Sequence, residues 1–305
     1  MIGFVLTEEE GAREEKLAFY RSQIARLGAA GVDARIFNFT GAVESLPEPG
    51  WLVVFDVNRP PALQAALDES GHLQAPLVWN PYAFFGGPQA RIRKSAATVA
   101  AVAPGEYWRQ KLGRYHLGKH VLGVEVTTDF PGRESGSRQP APRLVSRIGY
   151  FPAGKPYLAH IRGAVTRLSP DFVGVEWIEM DYENPVAWRR SVPECDLFLS
   201  MRGLCGSALP LLDLMAAGVV VCGTHSGGLR DVATAENGLW VDSATADRFV
   251  EVLIDGLARA RTDPEWRRSL AENARASALA LDADTTFEAN LPSWKQLLTL
   301  AASRS

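Results

Sequence analysis

What most constrains the fold of this chain is a regular alternation of short apolar runs with longer amphipathic segments. IGFVL at 2–6 reads as a strand. KLAFYRSQIARLGAAG at 16–31 carries Leu17, Ile24 and Leu27 at helical spacing and stops at Gly31. VDARIFNF (32–39), WLVVFDV (51–57), PLVWN (76–80) and TVAAVA (98–103) follow as candidate strands, with helices expected at 62–70, near 92–99 and at 106–113. Buried strands separated by helices are what a parallel sheet with crossover connections requires.

The alternation breaks once. DFPGRESGSRQPAP at 129–142 holds three prolines, two glycines and almost no large apolar side chain, the composition of an exposed linker. Beyond it, strands are expected at 143–150, 173–178, 196–200, 219–222 and 238–241. Helices are expected near 156–168, 185–193, 208–217, 245–260, 264–279 and 293–303. The fold class is therefore α/β: two Rossmann-like domains facing a cleft. The first spans 1–130, the linker 131–142, the second 143–285, and a C-terminal helix at 286–305 is placed to return to the first domain.

Composition narrows the function. A chain of 305 residues that is 47% hydrophobic is long enough for two cores. A net charge of -3 gives no basic excess for nucleic acid or an anionic membrane. No apolar run approaches the ~20 residues of a transmembrane segment. The opening MIGFVLTEEE lacks the basic region and long apolar core of a signal peptide. Cys195, Cys205 and Cys222 form no CxxC, which points to reduced thiols and a cytoplasmic protein. His116 and His120 have the spacing of metal ligands on a helix, but no third ligand is near. Asp282 and Asp284 read as a helix cap or turn.

In open parallel sheets, ligands bind where strand ends lead into helices. In the second half those loops are 150–155, 201–209 and 223–230, all rich in glycine, small residues or cations. A helix N-terminus carries roughly half a positive charge and free N–H groups, so such loops suit phosphate. The stretch SMRGLCGSALPLLDLMAAG at 200–218 combines a glycine-bearing loop with an apolar helix that holds one acid, Asp213.

DLFLSMRGLCGSALPLLDLMAAGVVVCGTHSGGLRDV (196–232), ENGLWV (236–241) and DPEWRRSLAENAR (263–275) together resemble the retaining GT-B glycosyltransferases of glycosyltransferase family 4. The N-terminal half shows only a compatible α/β pattern and is short for that family. The resemblance implies a nucleotide diphosphate sugar as donor, an acceptor the sequence does not name, and no metal or other cofactor. The family pairs two acids eight residues apart. Asp213 takes the place of the second, which holds the nucleotide ribose; Cys205 takes the place of the first, which contacts sugar hydroxyls. Gly206 and Ser207 stand in the intervening loop and Leu209 opens the helix. Gly149, Tyr150 and Lys155 represent the diphosphate loop, with tyrosine where the family has arginine. Arg202 is placed to replace that cation, with Lys155 as its catalytic partner. Gly227 and Gly228 keep the glycine turn, with Asp231 following. Glu8 and Asn80 sit at strand ends of the first domain, on the acceptor side.

Plainer readings stand beside these: Cys205 as a small packing residue, Lys155 as a solvated lysine, the glycine pair as a simple turn. A site that keeps its phosphate and ribose groups while changing its sugar-reading positions fits an altered donor. A non-catalytic binding or scaffolding partner of another transferase is the alternative.

Overall fold

The computed structural model describes residues 1–8, 14–58, 60–79, 95–114, 120–125, 147–152, 155–181, 184–201, 209–225, 227–241, 245–281 and 283–304. Its elements run β1 (Ile2–Thr7), α1 (Glu14–Ala29), β2 (Ala34–Phe39), β3 (Leu52–Asp56), α2 (Pro61–Ser70), β4 (Gln74–Leu77), β5 (Ala100–Pro104), α3 (Glu106–Arg114) and β6 (His120–Val124). They continue β7 (Arg147–Tyr150), α4 (Lys155–Leu168), β8 (Glu176–Glu179), α5 (Pro185–Ser191), β9 (Leu197–Ser200), α6 (Leu209–Ala216), β10 (Val220–Gly223), β11 (Leu239–Trp240), α7 (Ala246–Thr262), α8 (Pro264–Leu279) and α9 (Ala283–Ala302). The chain divides into two compact units, Met1–Asp129 with Leu281–Ser305, and Phe130–Ala280.

In the first unit the described strands form a parallel sheet in the order β2-β1-β3-β4-β5-β6. The inner strands β1, β3, β4 and β5 are buried almost throughout, which is why they read as continuous apolar runs. The edge strands β2 and β6 mix buried and exposed positions. α9 completes this unit. Trp294 is fully buried, meets Phe4 edge-on at 5.7 Å, and donates its indole N–H to Gln23 Oε1 at 3.0 Å. The carboxamide of Asn290 pairs with both backbone groups of Glu125.

Three expectations are corrected in this unit. The helix near 92–99 is absent over its described part, 95–99; Thr98 bridges Gln74 instead, because its β-branched side chain and Val99 lead into β5. His120 is not on a helix but opens β6, exposed and paired with Ala100; His116 lies outside the described residues. The last helix begins at Ala283 rather than near 293. The linker 131–142 lies outside the described residues.

In the second unit the described strands are again all parallel, in the order β11-β10-β9-β7-β8. One face packs Ile148, Leu199 and Cys222 against Ile161 of α4 and Phe249 and Leu253 of α7. α6 is buried at every residue, which accounts for its uniformly apolar sequence around a single acid. Arg275 of α8 donates to the carbonyl of Ala216 at 2.7 Å and so caps the C-terminal end of α6.

Candidate functional site

Strand order marks the place where a ligand belongs in the second unit. From β7 the chain moves to β8 on one side and then to β9 on the other, so the β7–β9 pair is the point where the order reverses. The connections leaving such a pair at its carboxyl end diverge and open a crevice. Those connections carry Tyr150 to Lys155 after β7 and Met201 to Leu209 after β9; the next one, after β10, carries Thr224 to Leu229.

The first connection is only partly available for a ligand. Gly149 lies inside β7, where a Cβ would come within 2.8 Å of Cys195 Sγ and 2.9 Å of Met180 Cε, so its bare backbone is a packing requirement. Tyr150 is buried in the core of the unit, and its hydroxyl donates to Glu179 Oε2 at 3.0 Å. Burial first, then the Glu179 carboxylate, raises the phenol above its ordinary range and keeps it neutral. The position where the resemblance implies arginine thus offers a spent hydroxyl. Lys155 is the first residue of α4; its side chain lies outside the described residues. Arg202, Cys205, Gly206 and Ser207 also lie outside them.

Asp213 is the most informative described residue. It lies in the second turn of α6, with its side chain only 5% exposed. Arg189 of α5 donates Nε at 3.0 Å and Nη2 at 2.7 Å, both to Oδ2. Oδ1 is buried and has no hydrogen-bond partner among the described residues. Burial raises the carboxyl above its ordinary range, against the opposing pull of Arg189. Sequence reasoning missed Arg189 altogether: its only trace is one of two adjacent arginines on a short helix. Leu209, at the head of α6, is buried.

The connection after β10 is shaped by backbone. Gly223 adopts φ +133°, and a Cβ there would sit 1.9 Å from the Ser200 carbonyl oxygen. That close approach lets Thr224 N donate to Ser200 O at 2.9 Å, tying the ends of β9 and β10 together. Gly227 and Gly228 open a 3-10 turn to Leu229; Gly227 is buried, Gly228 half-buried, and Asp231 exposed. Asn237 binds Val232 O, the Thr234 N–H, Ser277 Oγ and the Trp240 indole, so it serves the turn itself. Cys222, fully buried in β10, has its thiol pushed up to about 12 by burial and is inert as a nucleophile.

In the first unit Glu8 follows β1 and is exposed, and Asn80 lies outside the described residues. The strand ends there hold a partly buried ion pair that the sequence reading did not single out: Lys16 of α1 binds the buried Asp56 at the end of β3 and lies 5.8 Å over the Trp79 ring. Among the described residues no three His, Cys, Asp or Glu side chains gather as a metal site, and no helix is long and apolar enough to cross a membrane.

No protein-family model matches the chain, and no curated protein matches it in sequence. Solved structures do. Sucrose-phosphate synthase from Thermosynechococcus elongatus superposes with a TM-score of 0.65 at 14% identity, covering 98% of this chain and 99% of that one. A glycosyltransferase from Rickettsia africae gives 0.66 at 12% identity, covering 97% and 98%. Anabaena HepE in complex with UDP gives 0.64 at 12% identity, covering 97% and 100%. The fold is that of the GT-B glycosyltransferases. At such identities the likeness establishes architecture over nearly the whole chain, including the compact first unit.

Proposed function

We propose that the chain is a glycosyltransferase of the retaining, family-4-like type, active where thiols stay reduced. It takes a sugar from a nucleoside diphosphate donor bound by residues 143–285 and passes it to an acceptor, not identified by the sequence, held by the first domain. The observation that carries this reading is Asp213: the acid that the family pattern assigns to the ribose is held by Arg189 with its other oxygen unpaired among the described residues, on a GT-B fold. That the HepE structure contains UDP supports a nucleoside diphosphate as the ligand class.

In this reading the anomeric C–O bond to the diphosphate breaks while the acceptor's nucleophile bonds the same carbon on the same face. The leaving phosphate oxygen takes the acceptor's proton, so atoms and charge balance without a side-chain base. The charge that grows on the diphosphate is met by Lys155, Arg202 and the N–H groups of the Gly227–Gly228 turn, which together supply the electrostatic stabilisation. Cys205, Gly206 and Ser207 border the sugar, and a thiol there favours a donor lacking a hydroxyl, since sulfur is a weak acceptor. Glu8 and Asn80 stand on the acceptor side.

One observation favours the second reading, a non-catalytic partner of another transferase: Tyr150 occupies the arginine position and spends its hydroxyl on Glu179. A single experiment separates the two. The chain is titrated with UDP, GDP, ADP and TDP and incubated with their sugars. A transferase binds one diphosphate and slowly hydrolyses its sugar, and Lys155→Ala weakens the diphosphate roughly 10- to 150-fold while sparing the nucleoside, as loss of a charge-assisted hydrogen bond requires. Binding without hydrolysis of any sugar favours the partner; equal loss of diphosphate and nucleoside removes Lys155 from the phosphates.

A further inference from the structure

We infer that the groove between α4 and α7 is a self-association surface: two copies of this chain pack there about a two-fold axis, with Arg167 of each copy against Asp247 of the other. The inference does not depend on which reaction the chain performs.

The groove lies within the second unit and holds about 520 Å³. Ala159, Gly163 and Ala164 of α4 line it with Val250 of α7, and so do the charged Arg167 and Asp247. Gly163 is the first observation. It sits in the interior of α4, where glycine is a poorer helix former than alanine. The chain's own packing does not account for it, because a Cβ there would meet no atom within 4 Å among the described residues. Gly149, by contrast, is bare because Cys195 and Met180 crowd it. A bare position on an open groove, flanked by Ala159 and Ala164, suits the close approach of a second backbone from outside, since the side chains at a contact set how near two helices come.

Charge is the second observation, and it says which backbone that is. α4 carries Arg162 and Arg167 and no acid, whereas the exposed Asp247, Glu251 and Asp255 follow one another at four-residue spacing on α7. Arg162 lies over the Trp177 ring and Glu251 accepts from Arg248. Arg167 and Asp247 make no hydrogen bond or ion pair among the described residues, although both line the groove. One wall is thus basic and the other acidic, and neither neutralises the other. Such a surface is complementary to itself. A two-fold axis through the groove sets the basic wall of each copy against the acidic wall of the other and brings the two bare stretches of α4 face to face, so every contact occurs twice. A partner of one charge sign would instead meet a like charge on one wall. Leu168 and Val173, 69% and 71% exposed at the end of α4 and just beyond it, add apolar surface of the kind an interface covers.

The test is the molar mass of the full chain by light scattering after gel filtration, with sedimentation velocity across the micromolar range. Wild type is expected at twice the chain's 33.2 kDa. Arg167→Asp and Asp247→Arg each oppose like charges at both symmetric contacts, and each is expected to raise the dissociation constant by at least ~10-fold. Mixing these two variants is expected to restore the dimer, because both contacts of the mixed pair are again of opposite sign. A chain carrying both substitutions is expected to dimerise for the same reason. Gly163→Leu is expected to be a folded monomer by circular dichroism and mass, since its side chain has room in one copy and none between two. A wild type that stays monomeric throughout that range overturns the inference and needs no variant to fold. So does a dimer that persists in Gly163→Leu, or a mixture of the two charge variants no more associated than either alone.

Discussion

Asp213 shows how one carboxyl can serve the site and burden the fold together. Its helix packs on every side, so the charge is held away from water and the folded chain binds the proton more tightly than the unfolded chain does. The sign follows from linkage. With a folded pKa raised above the usual 3.8, the group favours the folded state most at low pH, and that contribution is lost as pH rises through the window above 3.8. Asp213→Asn cannot titrate. The melting temperature of wild type relative to Asp213→Asn is therefore expected to fall as pH is raised through that window, in thermal melts at stepped pH. A difference independent of pH would show that the carboxyl is not strained by its burial.

At the scale of elements, the ends of β9 and β10 are joined through Gly223 rather than through side chains. Gly223→Ala brings two penalties at once: a φ of +133° that L residues rarely adopt, and a Cβ 1.9 Å from Ser200 O. The backbone penalty alone is on the order of 1–3 kcal/mol, and relief of the clash must separate the two strand ends. Denaturant titration is expected to show a loss at least that large, and nucleotide binding is expected to weaken because both flanking connections move. A neutral substitution would mean that Thr224 N and Ser200 O are not held together in solution. α9 illustrates the opposite case, an element whose helix runs through Pro292. An interior proline costs a hydrogen bond; burial of Trp294 and the Asn290–Glu125 pairing on either side offset it.

At the scale of the whole chain, the first unit is discontinuous and the second is not. Residues 1–129 without α9 leave Phe4 and Gln23 facing solvent where Trp294 belongs. Truncation at 282 is therefore expected to unfold the first unit while a fragment covering 130–280 retains a cooperative melt. The milder Trp294→Ala is expected to destabilise the first unit by about 3–5 kcal/mol, the usual range for a fully buried tryptophan. Calorimetry of the full chain and of the fragment checks both. A truncated chain with an unchanged first transition would show α9 to be dispensable.

The alternation of strands and helices was legible in the sequence because hydrophobic period records local burial: β1, β3 and β5 stand where continuous apolar runs stand, and α8 spans the expected 264–279. β6 was not, because a short edge strand with mixed burial has no such run. The length of α9 was not, because Pro292 reads locally as a helix start. At the site, the sequence by itself determined which residues stand at strand ends and that Asp213 is the lone acid of an apolar helix. Only the tertiary structure decided what those residues meet. Arg189 reaches Asp213 across 24 positions and Tyr150 reaches Glu179 across 29, because strand order sets which ends are neighbours. Periodicity carries burial, which each residue feels locally, but a partner is a property of two segments, and only folding brings them together.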